Sequence, residues 1–226
     1  MDNAIWNTDL ARKVAEFLMD NRGYSVDFNK PRNQWIIRKN NVTSPVYINC
    51  RNTLHNPNSM KFFVECMSVS IKDRKLTFNN ILGIESAGVP FAANVAFLFN
   101  KPFGYIRKEV KKYGVPIAIE GDPAENSLSL VIDDTCQTGE TFIKAAETLK
   151  QERNIKVSSF ITIVSLFDQN HSKLWDYLKE NNIRYYSLTN YHYLQQVALE
   201  RGLITKEQDL ELDMFYADPL NYKWQD

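Results

Sequence analysis

Leu130-Val-Ile-Asp-Asp-Thr-Cys-Gln-Thr-Gly-Glu-Thr-Phe-Ile-Lys144 runs from three apolar residues into two adjacent carboxylates and then into a polar turn around Gly139. The apolar run reads as a buried strand. Phe142, Ala145, Ala146 and Leu149, at i, i+3, i+4 and i+7, predict a helix behind the turn. The turn is then a helix N-terminus, whose free N–H groups and dipole favour an anion such as phosphate. Gly139 allows close backbone approach, and the Thr138 and Thr141 hydroxyls add donors. Asp133 and Asp134 sit at the strand's carboxyl end, where they could accept from vicinal ribose hydroxyls and hold negative charge near a carbon that becomes cationic. Together these features suggest a sugar phosphate; a capped turn with surface acids is the plainer alternative.

Outward from this stretch, the same grammar repeats. Asn-Ile-Leu-Gly-Ile-Glu leads into Ser86-Ala87-Gly88-Val89-Pro90 and a helix, Pro-Phe-Gly-Tyr-Ile-Arg is a strand, and Ser-Ser-Phe-Ile-Thr-Ile-Val-Ser-Leu-Phe is a strand before a helix near 172–181. Nearer the start, Leu10, Val14, Phe17 and Leu18 predict a helix behind a Thr8 cap, ending near Gly23. Strands are expected over 34–38 and 45–50, and a second helix opening at Asn56-Pro57-Asn58 should turn Phe62, Cys66 and Val69 inward. Short apolar strands alternating with helices predict an α/β fold with a mainly parallel sheet covered on both faces, and ligands at the strands' carboxyl ends.

The chain has 226 residues, 44% of them apolar, which suits one large domain with a real core. Lys plus Arg and Asp plus Glu both number 27, so no global field recruits nucleic acid or an anionic membrane. Any charged ligand must be met by a local cluster, and one is present: Arg107, Lys108, Lys111 and Lys112 place four cations within six residues. Cys50, Cys66 and Cys136 have no paired metal spacing and read as reduced thiols, which points to the cytoplasm. The first residues carry no apolar core of signal-peptide length, and no stretch approaches a membrane span.

Five ordered segments resemble one family. Residues 130–145 are similar to the phosphoribosyl-diphosphate (PRPP) signature of the type I phosphoribosyltransferases, and the flanks resemble orotate phosphoribosyltransferases in particular. Ser44-Pro-Val-Tyr-Ile-Asn-Cys-Arg51 is similar to the early strand beside the base pocket, and Gly83-Ile-Glu-Ser-Ala-Gly-Val-Pro90 to the pyrophosphate loop. Tyr105-Ile-Arg-Lys-Glu-Val-Lys-Lys-Tyr-Gly114 resembles the start of the mobile catalytic loop, and Ile119-Glu-Gly121 its end. Val197–Ile204 and Ala217-Asp-Pro219 resemble the C-terminal segment of longer bacterial members.

The resemblance implies the type I phosphoribosyltransferase fold over a single domain, 1–226, with a small hood from about residues 1–50 and the C-terminal part. It implies transfer of the phosphoribosyl group of PRPP to orotate, giving orotidine 5′-monophosphate and pyrophosphate in pyrimidine biosynthesis. Lys111, Asp133 and Asp134 are the implied catalytic residues. Lys39, Arg107, Lys108, Lys111, Tyr113 and Asp133 through Thr141 (Asp134, Thr135, Cys136, Gln137, Thr138, Gly139, Glu140) are implied to bind PRPP, and Ser86, Ala87 and Gly88 its pyrophosphate. Lys39, Tyr47, Ile48, Gln137 and Gln169 are implied beside orotate; for Tyr47 and Ile48 an alternating strand explains the residues equally well as core. Mg²⁺ is implied, carried by substrate oxygens with no direct protein ligand, as is a homodimer with shared active sites. Gln137 and Tyr113 stand where the family often has Thr and His, and Gln169 lies nearest to where many members place an orotate-binding Arg. A transferase for another base in salvage and a non-catalytic PRPP sensor are the competing readings.

Overall fold

The computed structural model describes residues 7–37, 42–108, 118–166, 173–219 and 221–224. The elements follow in the order α1 (Thr8–Asp20), β1 (Tyr24–Val26), β2 (Ile36–Ile37), β3 (Thr43–Ser44), β4 (Val46–Ile48), α2 (Asn58–Asp73), β5 (Asn80–Ile84) and α3 (Gly88–Phe99). After these come β6 (Phe103–Ile106), β7 (Ile119–Glu120), β8 (Leu128–Cys136), α4 (Glu140–Arg153), β9 (Lys156–Ser165), α5 (Lys173–Glu180), β10 (Arg184–Asn190), α6 (Tyr191–Glu200) and α7 (Lys206–Ala217).

Six strands form one sheet in the order β10-β9-β8-β5-β6-β7. Every pairing is parallel except β6 with β7. Successive residues of the central strands bury opposite faces, as the pleat requires. Ile81, Leu130, Ile132, Ile161 and Ile163 join a core with α1, α2, α3, α6 and α7. Leu82, Ile84, Val131 and Phe160 join a second core with α4 and α5. Both faces are therefore covered, and this accounts for strands that read as continuous apolar runs. The crossover α3 lies on one face and α4 on the other, so the order reverses between β5 and β8. In open α/β sheets such a reversal leaves a crevice at the strands' carboxyl ends.

Local differences from the sequence expectations have simple causes. The cap of α1 is Asn7, whose side chain accepts from the Leu10 N–H at 2.9 Å, one residue before the expected Thr8. On α2 the buried stripe is Phe63, Val64, Cys66, Met67, Ser70 and Ile71; Val69 is 43% exposed and Phe62 is only half-buried, stacked on Phe17. Cys66 is buried as expected, while Phe63 and Ser70 take the places expected of Phe62 and Val69. The early strands are shorter than expected and belong to two small ribbons, β1 with β4 and β2 with β3.

These ribbons pack against the C-terminal helices. Phe28, Trp35, Phe215, Tyr222 and Trp224 form one aromatic cluster, mostly edge-to-face, with Phe215 tilted against Trp224. Arg32 donates to the Trp224 carbonyl, and the Trp224 indole donates to the Thr43 carbonyl, both at 3.1 Å. Arg201 pairs with Asp20 across the same junction. First and last segments are thus packed against each other.

Candidate active site

The decisive strand runs further than its apolar pattern suggested. β8 continues through both carboxylates to Cys136, because Asp133, Thr135 and Cys136 stay in register with Thr162, Val164 and Ser165 of β9. Asp133 is buried at 6% exposure and Asp134 is half-buried. Each uses one oxygen locally: Asp133 Oδ1 accepts the Asp134 N–H at 2.9 Å, and Asp134 Oδ1 accepts the Thr135 N–H at 2.8 Å. Burial drives the Asp133 carboxyl well above the usual carboxylate range, and the charge of Asp134 adds to it; Lys108 pulls the other way. Burial likewise raises Asp134, against the Thr135 N–H and the cation of Arg51.

From Cys136 the chain turns into α4. Gly139 caps the helix at φ +80°, and its carbonyl accepts from the Phe142 and Ile143 N–H groups at 2.9 and 3.0 Å. A Cβ at Gly139 would lie 2.3 Å from Cβ of Leu174 on α5. The glycine is thus demanded by its backbone and by a packing neighbour, and not only by room for a ligand. Lys108, Asp133, Asp134, Gln137, Thr138 and Thr141 line one cavity of about 230 Å³, together with Thr135 and Gly139. The Cys136 thiol points away into the α4–α5 core, 1% exposed, and burial pushes its pKa up. Only its backbone can serve an anion.

The second turn, after β5, mirrors the first. The Glu85–Ser86 peptide is cis, Ala87 is buried, and Gly88 begins α3. A Cβ at Gly88 would sit 2.2 Å from the Ile132 carbonyl oxygen, so α3 rests directly on β8 just before the acids. This close approach brings the two turns side by side across the β5–β8 reversal.

The cations divide. Lys108 reaches the cavity of the acids. Arg107 does not line it: its Nε donates to Glu120 at 2.9 Å, its Nη1 lies 3.9 Å from Glu85, and its guanidinium lies over Tyr105. It lines a neighbouring cavity of about 490 Å³ with Lys108, Glu140, Thr141 and Lys144. Glu140 belongs to this second cavity and not to the first. Ile48 packs against the larger core, whereas the Tyr47 ring is 37% exposed and its hydroxyl accepts from Asn49. Lys39, Lys111, Tyr113 and Gln169 lie outside the described residues. Among the described residues no group of three or more His, Cys, Asp or Glu side chains could hold a metal ion.

Residues 52–197 match the phosphoribosyl transferase domain family, nearly two thirds of the chain. The chain belongs to the phosphoribosyltransferases. It is 31% identical over 215 residues to an orotate phosphoribosyltransferase of Streptococcus agalactiae, covering 95% of this chain and 99% of that one. Two solved structures share the fold. The Leishmania donovani UMP synthase superposes with a TM-score of 0.73 at 23% identity, over 91% of this chain and 42% of that one. The Aeropyrum pernix orotate phosphoribosyltransferase gives 0.67 at 22%, over 85% and 99%.

Four residues of this phosphoribosyltransferase site lie inside the quoted segments but were not singled out from the sequence. Glu85 and Glu120 bind Arg107, Lys144 donates to the Lys108 carbonyl at 3.1 Å, and Arg51 offers its charge to Asp134. They come from the ends of β5 and β7, from α4, and from the turn after β4, where only the strand order makes them neighbours.

Proposed function

We infer that the chain is an orotate phosphoribosyltransferase that transfers the phosphoribosyl group of PRPP to orotate, giving orotidine 5′-monophosphate and pyrophosphate in pyrimidine biosynthesis. The observation that carries this reading is the buried Asp133–Asp134 pair facing the 138–141 turn and Lys108 within one cavity. A ring nitrogen of the base attacks the anomeric carbon as its bond to pyrophosphate breaks, through an oxocarbenium-like state. Positioning and charge stabilisation supply most of the acceleration. The N–H groups opening α4, with Thr138 and Thr141, hold the 5′-phosphate. The Asp133 and Asp134 oxygens not engaged by backbone accept from the ribose hydroxyls, and the positive charge developing on the sugar favours their ionised form. The turn at Ser86–Gly88 and the cations Lys108 and Lys111 receive the pyrophosphate, with Arg107 at its margin, while Lys39, Tyr47, Ile48 and Gln169 belong to the base side.

Mg²⁺ is a hard cation that keeps waters and binds through phosphates, so it would be carried by the oxygens of the polyanionic substrate beside Asp133 and Asp134, with no dedicated protein ligand. Bound there, it would neutralise charge on the leaving group. The chain acts as one domain and as a homodimer in which the loop carrying Lys111 completes the neighbour's site. Three buried, unpaired thiols support residence in the cytoplasm.

The purified protein with PRPP and Mg²⁺ should release pyrophosphate with orotate and not with uracil, hypoxanthine or xanthine; turnover of another base and not orotate would overturn the assignment. PRPP and Mg²⁺ alone should raise the melting temperature, since ligand at a hundredfold excess over Kd stabilises by about 2.7 kcal/mol. Sharing of sites is tested by mixing. Lys111→Ala and Asp134→Asn chains, each reduced in turnover by about 10²–10³, should recover activity when refolded together. Heterodimers that form and stay inactive would remove the shared site.

A further inference from the structure

Lys108 is gripped at both ends of its backbone. Its N–H donates to Glu85 Oε2 at 3.2 Å, and its carbonyl accepts from Lys144 Nζ at 3.1 Å. Glu85 closes β5 and opens the Ser86–Gly88 turn; Lys144 stands one turn into α4, beyond the 138–141 turn. One residue is therefore tied both to the end of β5, where the Ser86–Gly88 turn begins, and to the helix that follows the 138–141 turn. The preceding Arg107 is fixed by the carboxylates of Glu120 and Glu85, and its N–H also donates to the Ala118 carbonyl at 2.8 Å. Arg107 is committed to this ion cluster on the side away from the acids, whereas Lys108 lines both cavities.

We propose that Glu85 and Lys144 are positioning residues that hold Lys108 over the phosphoribosyl-diphosphate cavity, with Arg107 and Glu120 as the anchor of that hold. The proposal rests on the phosphoribosyl-transfer reading and deepens it. The side chain of Lys108 leaves a backbone whose two hydrogen-bonding groups are both taken by charged partners. A flexible four-carbon stem then begins from a fixed point, which lowers the ordering cost when the anion binds. The same ties link the two turns, so that an anion seated on one of them biases the cation serving the other. Lys144 acts through the carbonyl it holds.

The test uses the full-length protein and PRPP with Mg²⁺, without base, in calorimetric titration. Lys144→Met keeps the apolar stem and removes the donor. It should weaken PRPP binding by up to about tenfold, the upper end for one exposed hydrogen bond from a charged donor, and raise KM for PRPP in parallel, with KM for orotate and the melting temperature unchanged. Lys144→Arg, which can still donate, should return to within about threefold of wild type. Glu85→Ala should behave like Lys144→Met. A double-mutant cycle separates positioning from direct contact: if Lys144 works through Lys108, then Lys108→Met and the Lys108→Met/Lys144→Met pair should bind PRPP equally weakly. Wild-type affinity in Lys144→Met, or additive losses in the double variant, overturns the proposal. Failure of the wild type itself to bind PRPP removes the phosphoribosyl-transfer reading, a different result from a wild type that binds and variants that bind as well.

Discussion

At the scale of single residues, the site is built on unfavourable burial. Asp133 is enclosed next to Asp134, and burial followed by that neighbour's charge raises its pKa well above the ordinary Asp value. In the unfolded chain the carboxyl titrates at about 3.9. Between that pH and the raised folded value the native state keeps a proton that the unfolded state has lost, so stability falls as pH rises through the window. Ligand-free protein should therefore have a higher urea midpoint near pH 5 than near pH 8, and Asp133→Asn should flatten the slope. Asparagine retains the acceptor for the Asp134 N–H and discards the buried charge. The same variant should lose about 10²–10³ in turnover, so stability near neutral pH and activity should move in opposite directions. Parallel pH slopes in wild type and variant would refute the account.

At the scale of elements, two glycines set the approach of helices to β8. Gly88 lets α3 touch the Ile132 carbonyl, and Gly139 lets α4 begin under Leu174. Gly139→Val places a β-branched residue at φ +80° and drives its Cβ into Leu174. Backbone strain and overpacking together should lower stability by roughly 3 kcal/mol in urea unfolding, and the PRPP-induced melting shift should vanish; an unchanged midpoint would show that the turn relaxes freely. The sequence made this strand-turn-helix unit legible because the apolar run, the acids and the period of α4 are all local signals. It did not disclose Leu174 as the reason for the glycine, since α5 lies more than thirty residues downstream. β10 was not anticipated: Arg184–Asn190 mixes Tyr, Ser and Thr with a single Leu, and its register comes from pairing with β9. β7, two residues long and antiparallel, exists only through its bonds to β6. The same logic hid Glu85, Glu120 and Lys144, whose meaning depends on which strand ends stand together.

At the scale of the whole molecule, the strand order has a kinetic consequence. β5 pairs with β8 from more than forty residues away, and the Ser86–Gly88 and 138–141 turns follow those two strands. A chain that has formed only its local units, β8-α4-β9 or β5-α3-β6, holds one turn and not the other. The proposed receptor for PRPP thus requires this most distant strand pairing, and such non-local contacts are slow to form. A ligand with nothing to grip before that point cannot hasten folding; it can only delay escape from the finished state. Saturating PRPP and Mg²⁺ should lengthen the unfolding time in urea jumps while leaving the refolding rate unchanged, and an accelerated refolding limb would mean that one turn alone captures the ligand. In a cell that supplies substrate, the enzyme's lifetime against proteases would then follow its occupancy: a working chain would persist where an idle one is cleared.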